Sequence, residues 1–184
     1  MPSEKYADET VVHVSQLMTP GFANFFGNVH GGNVMKLVDE LAYVCTARYA
    51  GTVCVTASVD RVDFYEPIHV GELLNLTARI NYVGKTSMEV EIDVYAEEIA
   101  TGKVRHTNSC HLTMVSLVDG KPNFVPRLVC RTREDKARYI QAKMRREMGL
   151  KYREDRDHFL HQYAAMGDDD LDKLIAGELP LPEA

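Results

Sequence analysis

Residues 23–42 read ANFFGNVHGGNVMKLVDELA, and they hold the side chains and the backbone best suited to chemistry. Gly31 and Gly32 stand where a helical pattern begins. The first four N–H groups of a helix lack internal partners and carry the positive end of its dipole. Amides unshielded by a side chain let a substrate carbonyl approach and stabilise it as it becomes an oxyanion; alternatively, the glycines serve a tight turn against a sheet. Asp39 follows Gly32 by seven residues, roughly 10 Å along a helix axis. Flanked by Val38, Leu41 and Ala42, it is expected at the margin of the buried face, where partial desolvation raises a carboxyl pKa and makes a better general base. The plain alternative is an ion pair with Lys36, which Glu40 can also reach. Asn24 can donate to a carbonyl or orient a water, or simply stabilise its turn. His30, just before the helix, suits a cap or a packed ring.

One carbonyl cannot touch both the Gly32 amide and the Asp39 carboxylate of a single helix. If both act on one substrate, they come from two antiparallel helices across a dimer interface.

The elements that carry these groups follow from periodicity. Residues 11–18 read as a short strand, and a loop rich in Pro and Gly follows. Val34, Leu37, Val38, Leu41 and Cys45 then recur at helical spacing up to Gly51. From there the period is two: Met88, Val90, Ile92, Val94 and Ala96 alternate with Ser87, Glu89, Glu91, Asp93, Tyr95 and Glu97, a strand with one wet face. Residues 52–65, 72–83 and 104–118 read as further long strands, with turn signals between them. Connections this short require antiparallel pairing. The fold class is therefore α+β, one long helix against an antiparallel sheet of about five strands, whose exposed edges favour self-association. After Pro126 the composition shifts. We expect a domain over 8–126, a helical extension over 127–166 with mixed charge, and a loosely held acidic tail over 167–184.

At 184 residues, with 45% hydrophobic and 26% charged residues and a formal net charge of -6, the chain fits one soluble globular domain and no nucleic-acid surface. No leader pattern or membrane-span length is visible, so a cytoplasmic protein is expected. Cys45, Cys54, Cys110 and Cys130 form no CxxC pair, which suits reduced thiols rather than zinc.

The pattern Ala23-Asn24, Gly27-Asn28-Val29-His30-Gly31-Gly32, Met35-Lys36 and Asp39, with VTASVDRVDFYEPIHVGE, GKTSMEVEI and RHTNSCHLTMV in order behind it, resembles the acyl-CoA hydrolase branch of the hotdog-fold thioesterases over about residues 10–128. The resemblance implies hydrolysis of acyl-CoA to a carboxylic acid and CoA, with no cofactor. It implies that the amides at Gly31 and Gly32 polarise the carbonyl while Asn24 and the partner's Asp39 carry the catalysis, in dimers commonly gathered into hexamers. It points to Thr56, Ala57 and Ser58 and to Gly84, Lys85, Thr86 and Ser87 as docking places for CoA; Lys85 would face phosphate there, or be merely a charged hairpin residue. The competing readings are a hotdog hydratase, which needs a loop Asp beside His30 that is missing here, and a non-catalytic acyl-CoA binding or sensing module.

Overall fold

The computed structural model describes residues 3–60 and 62–180. In chain order the elements are β1 (Glu4–Tyr6), β2 (Val12–Leu17), α1 (Gly31–Ala50), β3 (Val53–Val59), β4 (Leu73–Val83), β5 (Ser87–Glu98), β6 (Lys103–Val118), β7 (Lys121–Pro122), β8 (Arg127–Val129), α2 (Arg133–Ala164) and α3 (Asp168–Ala176), with single 3-10 turns at Ala7–Thr10 and Pro20–Phe22. The chain divides into two compact units, residues 1–140 and 141–184.

In the first unit an antiparallel sheet runs in the order β2-β4-β5-β6-β3, with the short β7 paired to β6. Leu74, Leu76, Ala78 and Ile80 of β4, Met88, Val90, Ile92, Val94 and Ala96 of β5, and Cys110, Leu112 and Met114 of β6 share the inner face and are all but fully buried. The register Ile80↔Val90↔Leu112 places these side chains in rows. Against them α1 presents Val34, Val38, Leu41, Ala42, Cys45 and Tyr49, which recur every three to four residues and are equally buried. The helix stops at Gly51, which adopts the left-handed conformation and whose N–H returns to the Ala47 carbonyl.

Three expectations are corrected. The strand expected over 52–65 ends at Val59; beyond it the chain stays beside β6 through isolated bonds, Asp60 N–H to the His111 carbonyl and Tyr65 N–H to the Thr107 carbonyl. The outer face of β5 is not wet throughout: Glu89 is buried, and the first two turns of α2 bring the Tyr139 ring 5.1 Å from that of Tyr82 and Arg138 to 4.0 Å from Glu91. Residues 127–129 are not helical but form β8, which pairs in parallel with β1, and Arg131 fixes the two ends by pairing with Asp8 and lying 3.8 Å over the Tyr6 ring.

The second unit holds the remainder of α2 and α3. Within the stretch expected to be a loose tail, α3 forms because Asp168, Asp169 and Asp170 occupy its first turn, where the dipole favours negative charge, and Gly177 closes its far end. No described helix is long and apolar enough to cross a membrane.

Candidate active site

Asn24 heads a closed turn. Its N–H donates to the Asn28 carbonyl at 2.6 Å, and the Gly27 N–H returns to the Asn24 carbonyl at 3.1 Å. Gly27 sits at φ 81, which a side chain would strain. The Asn24 side-chain oxygen accepts from the N–H groups of Phe26 (2.9 Å) and Asn28 (3.2 Å). With that oxygen committed to the turn, the carboxamide orientation is fixed and its Nδ2 is the group left to donate elsewhere. The turn leads directly into α1: the Val29 N–H bonds the Ile68 carbonyl and the His30 N–H bonds the Phe22 carbonyl.

At the helix start the structure amends the expected oxyanion pair. His30 is the cap: its Nδ1 accepts from the Gly32 N–H at 2.9 Å, so that amide is already used. A Cβ on Gly32 would lie 3.1 Å from this ring nitrogen, which explains the glycine. Among the described residues the Gly31 N–H has no hydrogen-bond partner. The Phe64 ring lies over Gly31, 3.4 Å from where a Cβ would stand. Asn24, Gly31, Val34, Phe64 and Ile68 line one cavity of about 290 Å³.

Asp39 and Thr56 form a second group. Asp39 is exposed in the single chain rather than tucked against the buried face, and it does not pair with Lys36, which instead lies 3.8 Å from Glu40. The Thr56 hydroxyl donates to Asp39 Oδ1 at 2.5 Å. The β3–β6 register slips between Thr56 and Ser58, leaving Ala57 as the extra residue of a bulge. Such irregularities re-aim neighbouring side chains. Thr56, expected to meet CoA, is thus the direct partner of Asp39, and neither residue lines the cavity at Asn24.

Residues 84–87 make the β4–β5 turn, closed by the Gly84 N–H on the Ser87 carbonyl. The Thr86 carbonyl accepts from Ser116 and the Lys85 carbonyl from Val125, which leaves the Lys85 side chain exposed on a firm turn. Ser87 and Thr56 face β6 from either side, opposite Val115 and Met114, roughly 10 Å apart across two strand spacings.

Burial disfavours the thiolate at all four cysteines, Cys130 included, and pushes the Cys45 thiol up to about 12. Sequence reasoning missed a cluster beside the cavity. Arg105 of β6 pairs with Glu72 at 2.5 Å and with Glu66 at 2.8 Å, and Glu72 is buried. The signal was present in EPIHVGE, where two carboxylates flank a turn with no cation of its own.

Residues 26–103 match the thioesterase superfamily model. Protein VdlD of Helicobacter pylori is 47% identical over 142 residues, 77% of this chain and 82% of that one. The mouse cytosolic acyl coenzyme A thioester hydrolase is 36% identical over 143 residues, 76% of this chain but 37% of the longer relative. Among solved structures, an apo-hexameric acyl-CoA thioesterase superposes with a TM-score of 0.78 at 33% identity, covering 81% of this chain and 96% of its own. An acyl-CoA hydrolase from Staphylococcus aureus, in complex with butyryl coenzyme A, coenzyme A and coenzyme A disulfide, gives 0.78 at 30% identity, covering 89% and 99%. That hydrolase has also been solved with alanine replacing an asparagine, an aspartate fifteen positions later, or a threonine seventeen positions after that. Asn24, Asp39 and Thr56 have the same types at the same spacing. By sequence and by its sheet around one long helix, the chain belongs to the hotdog-fold thioesterase superfamily, among the acyl-CoA thioester hydrolases.

Proposed function

We propose that the chain hydrolyses acyl-CoA at a site completed by a second copy, with Asn24 and the Gly31 amide from one subunit and Asp39 and Thr56 from the other. The observation that carries this reading is the distance between the two groups. Eight residues of α1 separate Gly31 from Asp39, about 12 Å of helix rise, too far for one thioester carbon. The free edge at β3 supports a pairing of copies there. Val53, Val55 and Val59 of that strand are exposed, as are Tyr43 and Val44 of α1.

In this mechanism the thioester carbonyl accepts hydrogen bonds from Asn24 Nδ2 and the Gly31 N–H. Asp39, held through one oxygen by Thr56, takes a proton from a water with the other, and the hydroxide adds to the carbonyl carbon. The tetrahedral intermediate collapses by breaking its C–S bond. CoA leaves as a thiolate, whose conjugate thiol has a pKa of about 8.5, so no strong general acid is required. The CoA end docks along residues 84–87 and Ser58, with Lys85 facing phosphate. On this reading residues 8–126 form the catalytic domain and the dimers gather in threes. The protein works in the cytoplasm, which fits its four free cysteines.

Subunit mixing tests the split site. Asn24→Ala and Asp39→Ala are each expected to be inactive. Unfolded and refolded together, they should regain about a quarter of wild-type activity, because half of the random dimers carry one intact site of two. Recovery of none, with heterodimers present, would mean that each site is built within one chain.

A further inference from the structure

The Asn24 turn hangs on a segment with almost no regular structure of its own. Residues 62–72 lead into β4 without forming a strand. Yet this segment supplies the Ile68 carbonyl that receives the Val29 N–H, and His69 Nδ1, which lies 2.9 Å from Asn28 Oδ1. Asn28 in turn supplies one of the two N–H groups that fix the Asn24 oxygen. The far side of the segment is held by one guanidinium. Arg105 Nη1 donates to Glu66 Oε2 at 2.8 Å and to the Pro67 carbonyl at 3.2 Å, while Nη2 donates to Glu72 Oε1. The other Glu72 oxygen accepts the His69 N–H at 2.8 Å. Arg105 is thus bound at both ends of residues 66–72, and Glu72 links it to the backbone of the residue that touches Asn28.

We infer that Arg105 is a positioning residue for hydrolysis, acting through Glu72, His69 and Asn28 to aim the Asn24 carboxamide. The inference rests on the reading of Asn24 given above. Only the planar fork of an arginine can span Glu72, Glu66 and the Pro67 carbonyl at once; a lysine brings the same charge from a single point. Glu72 is buried, so loss of one bond from it is not made good by water. A misplacement of about 1 Å at a catalytic group can cost on the order of 100-fold in rate.

The test uses the full-length protein with butyryl-, octanoyl- and palmitoyl-CoA as substrates. Arg105→Lys is expected to lower kcat about 10- to 100-fold with KM within about twofold, since the aim of a group is lost rather than uniform binding. Amide hydrogen exchange in residues 24–29 should accelerate at least tenfold while the β4–β5 ladder is unchanged. His69→Ala reaches the same turn from its other neighbour and should show the same pattern more weakly. His69→Asn, whose side-chain amide nitrogen takes the place of Nδ1, should restore much of it. In an Asn24→Ala background Arg105→Lys should add little to the loss of kcat, because the two changes act on one group. Unchanged exchange at residues 24–29, or an equal loss of kcat with and without Asn24, overturns the inference. Wild-type kcat in Asn24→Ala alone overturns the reading of Asn24, a separate result.

Discussion

The two halves of the proposed site are built in opposite ways. Around Asn24, the side-chain oxygen, the turn carbonyls, the His30 cap and the Phe64 ring are all engaged within one chain. Around Asp39 there is one hydroxyl, from Thr56, on an exposed patch beside a strand edge. A hydrogen-bond donor aimed at a developing oxyanion must be fixed before the substrate arrives. A base acting on water needs reach and a low-dielectric surrounding, which a second subunit can provide when it covers the patch. The half finished within the chain is therefore the half that must be rigid.

The largest effect should come from the barer half. Asp39→Asn keeps the shape and removes the base, and kcat is expected to fall by about 10² to 10⁴. Near-wild-type turnover of acyl-CoA substrates by this variant would sink the assignment. Because the substitution keeps the side-chain volume and an oxygen for the Thr56 hydroxyl, thermal stability should move by less than about 0.5 kcal/mol.

Asn24 should behave differently in both readouts. Asn24→Asp retains an oxygen for the Phe26 and Asn28 amides but loses the donating nitrogen, so kcat is expected to fall about 10² to 10³ with stability preserved. Asn24→Ala loses the turn bonds as well and should also destabilise the fold by about 1 kcal/mol, read by thermal unfolding. Equal melting temperatures for the two variants would show that the turn does not depend on that oxygen.

The Thr56 contact gives a smaller effect. Thr56→Val removes the hydroxyl bonded to Asp39 and should lower kcat about tenfold, while Thr56→Ser should keep most activity. If Thr56→Val instead raised KM for CoA substrates and left kcat alone, the threonine would belong to CoA docking, as expected from the resemblance.

That exchange of roles shows where the sequence was legible. The alternation through β5 and the helical spacing from Val34 to Cys45 define the core because burial of one face imposes those periods. Asn24, Gly31 and Asp39 stand out through the family resemblance of the motif that holds them, since each type alone also serves a turn, a tight approach or an ion pair. Thr56, Arg105 and Glu72 act through contacts 17 to 39 residues away in the chain, and such contacts leave no local period. The direction of Thr56 depends on the bulge at Ala57, one extra residue within a strand pattern that gives no sign of it. The cap at His30 was legible from its place before the helix, whereas its use of the Gly32 amide depends on the ring's rotamer.

The smallest effect on catalysis is expected on the outer face of the sheet, opposite the one that packs against α1. Glu91 accepts from Asn81 Nδ2 at 2.8 Å and lies 3.5 Å from His111 Nε2 and 4.0 Å from Arg138. The His111 contact, with Asn81 and Arg138 adding to it against the opposing effect of burial, holds its carboxyl at about 2. A depressed carboxyl pKa contributes stability that is complete above the ordinary carboxylate range and is lost as pH falls toward 2. Glu91→Gln should therefore leave kcat unchanged at neutral pH and lower stability there by about 1–2 kcal/mol after solvent screening. The thermal unfolding curves of variant and wild type should converge between about pH 5 and pH 2. A difference that stays constant down to pH 3 would assign the loss to packing rather than charge. A fall in kcat at neutral pH would tie the outer face to the site and erase the contrast between a scaffold held by burial and a site held by hydrogen bonds.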